Sequence, residues 1–130
     1  MLLTFGSMTR GLSTVALVVD DDDAVRRVLV ALLASRGYTV FEATDGQDAW
    51  RQLRCRRVDI VVTDLQMPVC DGRELCRRIR TDPAMSHLGL LVITGCTDHA
   101  ERQSLDCDGL FSKPLSIPHF LDEVDRCCQR

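Results

Sequence analysis

No stretch of this sequence is apolar for anything close to the ~20 residues that a membrane-spanning helix needs, so no transmembrane segment is expected. Aromatic side chains are scarce, at 5%, and none interleave with the arginines, which removes the stacking platform typical of single-stranded nucleic-acid binders. Charge of one sign is also lacking: 16 Lys and Arg stand against 19 Asp and Glu, a net of −3, and this excludes a bulk basic character. Paired cysteine spacing is missing too. Cys55, Cys70, Cys76, Cys96, Cys107, Cys127 and Cys128 are odd in number and contain no CxxC, which argues against a disulfide framework and a zinc site. They read as small hydrophobes in a reducing compartment, and a cytoplasmic protein is the expectation. Repeats, low-complexity tracts and interdomain linkers are absent, so the 130 residues are expected to form one domain. The opening MLLTFGSMTRGLST has no positive charge before its short apolar patch and makes a poor signal peptide. Residues 1–13 are expected to be a flexible extension, with Met8 an alternative start, and 14–130 the folded domain.

What is present is an alternation of two patterns. VALVV (15–19), YTVFEA (38–43), DIVVTD (59–64), LGLLVITG (88–95) and GLFS (109–112) are short and rich in Val, Leu and Ile. Several are apolar without alternation, as in parallel strands covered on both faces. Between them lie segments of helical spacing. Val25, Val28, Leu29, Leu32 and Leu33 form one stripe that stops at Gly37; Ala49, Trp50 and Leu53 form a second; Leu75, Cys76 and Ile79 form a third, with Pro83 beyond its end. A last helix is expected from about Ile117, with Ser116 as N-cap and Phe120, Leu121, Val124 and Cys128 facing inward. Strands and helices therefore alternate five times, which predicts an α/β fold with a doubly wound parallel sheet and helices on both faces.

Ligands of such sheets sit beyond the carboxyl ends of the strands. Asp20 and Asp21 follow the first strand, Asp64 ends the third, Thr94 follows the fourth and Lys113 the fifth. Three carboxylates, a hydroxyl and an ammonium supply hard oxygen ligands for Mg²⁺ and partners for a phosphoryl group. An aspartate can itself accept the phosphoryl group, and such transfer needs mainly positioning and charge neutralisation. Each residue alone has a plainer explanation. Asp22 or Asp23 suits a helix N-cap, a lone Thr suits a turn, and a lone Lys suits the surface. Their convergence at four strand ends favours chemistry. His87, His99 and His119 are scattered and read as surface residues.

These residues stand in motifs, LVVDDD (17–22), VTDLQMPVCDG (62–72), ITG (93–95) and SKPL (112–115), and with them the chain from Val15 to Cys128 resembles the receiver domain of two-component response regulators. The resemblance implies a flavodoxin-like sheet of five parallel strands in the order 2-1-3-4-5. It implies that Asp64 is the phosphoacceptor, taking its phosphoryl group from a sensor histidine kinase or histidine phosphotransfer protein. It further implies that Asp20, Asp21, Asp64 and the backbone carbonyl of Gln66 hold Mg²⁺, that Thr94 is the switch hydroxyl and that Lys113 pairs with the phosphoryl group. The only catalysis implied is of the domain's own phosphorylation and dephosphorylation, with an unknown downstream protein target and no direct binding to nucleic acid or membrane. Pro114 is preceded by a cis bond in many members.

Departures from the family pattern matter as well. Leu110 stands where an aromatic residue usually couples to the switch hydroxyl, and Phe111 is expected on the opposite face of the strand. The separation of Thr94 and Lys113 is about one helical turn short, so the fourth helix, around HAERQSLD, is expected to be reduced. Arg51, Arg54, Arg56 and Arg57 gather around one helix end, where cations meet the helix dipole favourably. Two other functions fit parts of the pattern. One is a non-cycling pseudo-receiver used for protein interaction. The other is a haloacid-dehalogenase-type phosphatase with Asp21 as nucleophile in DDDAV, which leaves DLQMPVCDG unexplained.

Overall fold

The structure is a computed structural model and describes residues 14–67, 71–95 and 105–128. Its elements are β1 (Val15–Val19), α1 (Asp23–Ser35), β2 (Thr39–Ala43), α2 (Gly46–Cys55), β3 (Ile60–Asp64), α3 (Gly72–Thr81), β4 (Gly89–Thr94), β5 (Gly109–Ser112) and α4 (Ile117–Cys128). The strands form one five-stranded sheet in the order β2-β1-β3-β4-β5, and every pair is parallel. This is the doubly wound topology expected. Residues 99–104 of HAERQSLD, where a reduced helix is expected, and the extension expected over 1–13 lie outside the described residues, as do Pro68, Cys70 and Cys96.

Alternation along each strand divides the core in two. Leu17, Val19, Val61, Leu90 and Val92 point to the side covered by Ala49 and Leu53 of α2 and by Leu75, Cys76 and Ile79 of α3. Ala16, Val18, Ile60, Val62, Leu91 and Ile93 point to the side covered by Leu29 and Leu33 of α1 and by Phe120, Leu121 and Val124 of α4. With both faces covered, the central strands have no polar side to show water, which is why they lack alternation in sequence.

One expectation about helix faces needs correction. Val28 is 55% exposed although it falls on the apolar stripe of α1, while Arg26 of the same helix is buried. Helix periodicity ranks positions by angle, and the guanidinium of Arg26 earns its burial through three separate acceptors described below. In α4 Cys128 packs against the core with Phe120, Leu121 and Val124 as expected, partly covered, and Cys127 is buried as well. Trp50 is also only partly buried, against the α2 and α3 side of the core.

The helix ends follow local chemistry. Asp22 caps α1, its carboxylate accepting from the N–H groups of Ala24 and Val25. Asp45 and Asp71 cap α2 and α3 in the same way, accepting from Asp48 and Glu74. Gly37, at φ 92°, ends α1 in the left-handed region that a side chain disfavours.

Candidate functional site

The carboxyl ends of β1 and β3 are adjacent, so their terminal acids meet. Asp20, Asp21 and Asp64 each place a carboxylate oxygen within 4.8 Å of the others. Asp20 and Asp64 are buried, and Asp21 is exposed at the mouth. Thr94, 1% exposed, ends β4 one position past the residue that pairs with Asp64. Lys113 follows β5, its N–H donating to the Thr94 carbonyl at 3.0 Å and its Nζ lying 3.7 Å from Asp64 Oδ2. Four of the five side chains read from the strand ends, those of Asp20, Asp21, Asp64 and Lys113, thus meet, and Thr94 ends the neighbouring strand beside them. The Gln66 N–H lies 3.4 Å from Asp64 Oδ1. The Lys113–Pro114 bond is cis.

Electrostatics in the depression are unfavourable to bare acids. Burial raises the Asp20 carboxyl above the ordinary carboxylate range; the Asp22 N–H at 2.9 Å and the Lys113 ammonium oppose this, while Asp64 and Asp21 add to it. Three hard oxygen donors converging on one point, with a single ammonium near, are the donor set of a divalent cation of the Mg²⁺ type. The chemistry of the residues present therefore fits such an ion.

Two supporting residues were missed in the sequence. Arg26 donates from Nη1 to the Asp20 carbonyl at 2.9 Å, from Nε to Glu42 at 2.9 Å and from Nη2 to Asp23. It holds the backbone of the acid pair from the α1 side. The available signal was an arginine three residues after an aspartate, the first of the Arg26–Arg27 pair in an otherwise apolar helix. Gly72 approaches from the α3 side. Its N–H donates to the Leu65 carbonyl at 2.9 Å, and a Cβ there would lie 2.3 Å from the Asp64 carbonyl oxygen. The DG pair of VTDLQMPVCDG is thus an N-cap followed by the one residue that lets α3 start against the backbone of Asp64.

Leu110 and Phe111 face opposite sides, as alternation requires. Leu110 packs on the α2 and α3 side, whereas Phe111 meets Phe120 and His119 edge-on, with centroids 5.8 and 5.3 Å away. His87 and His119 are exposed, and the five described cysteines are free thiols.

A family model for the response regulator receiver domain matches residues 16–125. The chain belongs to the response regulator receiver domain family. As a receiver domain it is 39% identical over 117 residues to the response regulator MprA of Mycobacterium ulcerans, covering 88% of this chain and 50% of that protein. It is 33% identical over 114 residues to a gliding motility regulatory protein of Myxococcus xanthus, covering 85% of this chain and 15% of that protein. The receiver domain thus spans half or less of these two relatives. A putative response regulator from Chloroflexus aurantiacus superposes with a TM-score of 0.84 at 28% identity, covering 90% of this chain and 98% of the other. The response regulator TrrA from Thermotoga maritima, solved in complex with Mg²⁺ and BeF, shares the fold with a TM-score of 0.80 at 23% identity, covering 88% and 98%. The phosphatase reading finds no support in these matches. Among the described residues no helix is long and apolar enough to cross a membrane.

Proposed function

We propose that this receiver domain takes a phosphoryl group onto Asp64 from a phosphohistidine of a sensor histidine kinase or histidine phosphotransfer protein. The observation that carries the reading is the meeting of Asp20, Asp21 and Asp64 oxygens within 4.8 Å, with the Lys113 ammonium 3.7 Å from Asp64. An Asp64 carboxylate oxygen attacks phosphorus, the phosphorus–nitrogen bond breaks, and the imidazole leaves and retains the electron pair. Lys113 pairs with a phosphoryl oxygen, and the Thr94 hydroxyl donates to another. Asp20, Asp21, Asp64 and the Gln66 carbonyl would hold Mg²⁺, as TrrA was solved with Mg²⁺ and BeF. The bound ion supplies charge neutralisation that three clustered acids lack. Hydrolysis of the aspartyl phosphate by water resets the domain, which acts on no other substrate.

The donor surface in this reading is the groove beside Lys113. Val25, Val28 and Leu29 of α1 face Pro114, Leu115 and Ile117 across about 430 Å³ of almost wholly apolar lining. An apolar strip next to an acid site suits an amphipathic helix that presents one histidine. Val28, exposed at 55%, would be covered by it. A cytoplasmic setting, in which the cysteines stay reduced, goes with this function.

The test is incubation with acetyl phosphate and Mg²⁺, with the added group located by mass spectrometry. Label on Asp64 that is lost in Asp64→Asn and after chelation of divalent ions is the expected result. Label on Asp21 instead, or none with either acetyl phosphate or a phosphorylated histidine kinase, would sink it in favour of a phosphatase or a non-cycling interaction module.

A further inference from the structure

The two helices α2 and α3 carry six arginines, Arg51, Arg54, Arg73, Arg77, Arg78 and Arg80, against two acids, Asp48 and Glu74. On the other side of the sheet, α1 and α4 carry three arginines against four acids. A chain of net −3 therefore has one basic face, invisible in its total charge. Between α2 and α3 this face opens into a groove of about 660 Å³, whose walls include Asp45, Asp48, Trp50, Arg51, Arg54 and Arg78.

The arginines of this groove are held to different degrees. Arg80 lies outside it and is turned inward, donating to the Ser86 and Leu88 carbonyls and pairing with Asp108, so it belongs to the scaffold. Arg78 bonds Glu74 through Nε at 3.1 Å, and its guanidinium carbon stands 5.9 Å from the Trp50 ring centroid. Arg51 pairs with Asp48 but is 74% exposed. Arg54 is exposed and has no hydrogen-bond or ion-pair partner among the described residues.

We propose that the groove between α2 and α3 is a docking site for an acidic protein segment, whose carboxylates meet Arg51, Arg54 and Arg78 over the edge of Trp50. Guanidinium forks match carboxylates in pairs, and a single exposed ion pair contributes little, so a segment that engages three at once is what the site can hold. Charge complementarity favours a peptide over a nucleic acid. Asp45 and Asp48 share the wall, and a peptide offers backbone N–H groups that can donate to them between its carboxylates, whereas a phosphodiester backbone offers no such donor. The indole is partly buried and approached by Arg78, which leaves no open platform for a base. The site is separate from the groove beside Lys113 and does not depend on phosphorylation of Asp64.

Trp50 is the chain's single tryptophan, so its emission reports on this groove alone. The experiment titrates the full chain, without phosphodonor, with short poly-L-glutamate and, separately, with oligodeoxythymidylate of equal charge. A saturable change with poly-L-glutamate is expected. It should weaken about tenfold in Arg51→Gln/Arg54→Gln/Arg78→Gln and stay the same in Arg27→Gln/Arg126→Gln, which removes charge from the opposite face. Circular dichroism checks each fold. If the triple variant is unfolded, Arg54→Gln alone carries the test, with a twofold or greater weakening expected. An absent or non-saturable response to poly-L-glutamate, unchanged affinity in the groove variants, or tighter binding of the oligonucleotide overturns the proposal.

Discussion

On one side of the sheet, α1 and α4 frame an apolar groove beside the acid site, and α1 is tied to that site by a side chain, Arg26. On the other side, α2 and α3 frame a groove lined by arginines, and α3 is tied to the site by its backbone, at Gly72. Both sides bury similar aliphatic cores, so burial does not distinguish them. They differ in what their outer surfaces can attract and in how each holds the strand ends. A long flexible anchor such as arginine tolerates adjustment around it, whereas a backbone-to-backbone approach tolerates none.

That contrast can be broken at its stiff side first. Gly72→Ala puts a methyl group 2.3 Å from the Asp64 carbonyl oxygen and 2.8 Å from Leu65 Cα, so α3 must move. A loss of about 3 kcal/mol in urea unfolding is expected, with weaker phosphorylation of the protein that remains folded. Gly95→Ala, where nothing lies within 4 Å, is the control and should stay within about 0.5 kcal/mol. A small effect at Gly72 would show the backbone approach to be soft.

The flexible side should give less. Arg26→Ala strips the Asp20 carbonyl of its donor and leaves the partly exposed Asp23 and Glu42 to water. About 1–3 kcal/mol of stability should be lost, with a lower affinity for Mg²⁺ measured by calorimetry. Arg26→Lys should recover part of the affinity if the guanidinium positions the acids, and none if it only fills space.

A change to the outer surface should separate stability from partner recognition. Val28→Ser should leave the unfolding midpoint within about 0.5 kcal/mol, because the side chain is already 55% exposed. Transfer from a phosphorylated protein donor should slow about tenfold while labelling by acetyl phosphate is unchanged. Equal effects on both donors would count against the apolar groove as the donor surface.

The smallest effect concerns Tyr38, which joins the end of α1 to α4 by donating to the Asp125 carboxylate. Burial and that carboxylate raise the phenol pKa above its ordinary value near 10. A raised folded pKa stabilises the protein fully below about 10, and the contribution is lost as pH rises from there toward the folded value. Tyr38 is the only tyrosine, so its ultraviolet titration should begin well above 10 and fall toward that value in Asp125→Ala.

Much of this was open to a reader of the sequence. Strand runs such as VALVV and IVVTD showed that both faces of the sheet are covered, because buried strands have no reason to alternate. The order of Asp20, Asp21, Asp64, Thr94 and Lys113 along the chain gave the site, since parallel strands deliver their carboxyl ends to one edge. Val28 was misjudged and Arg26 overlooked for one reason. Helical periodicity ranks positions by angle, and neither the gap beside Pro114 nor the carbonyl awaiting Arg26 is local information. Gly72 was visible as a motif letter, but its cause, the Asp64 carbonyl a few residues upstream, required the turn between them to be folded.

The amino-acid order alone determined the alternation of elements, the caps at Asp22, Asp45 and Asp71, and which polar groups end the strands, because these follow from spacing within a few residues. Only the tertiary structure decided that the arginines of α2 and α3, Arg80 excepted, share one face while acids outnumber arginines on the helices of the other. Total charge sums over the chain, and a surface is made by packing segments that are distant along it.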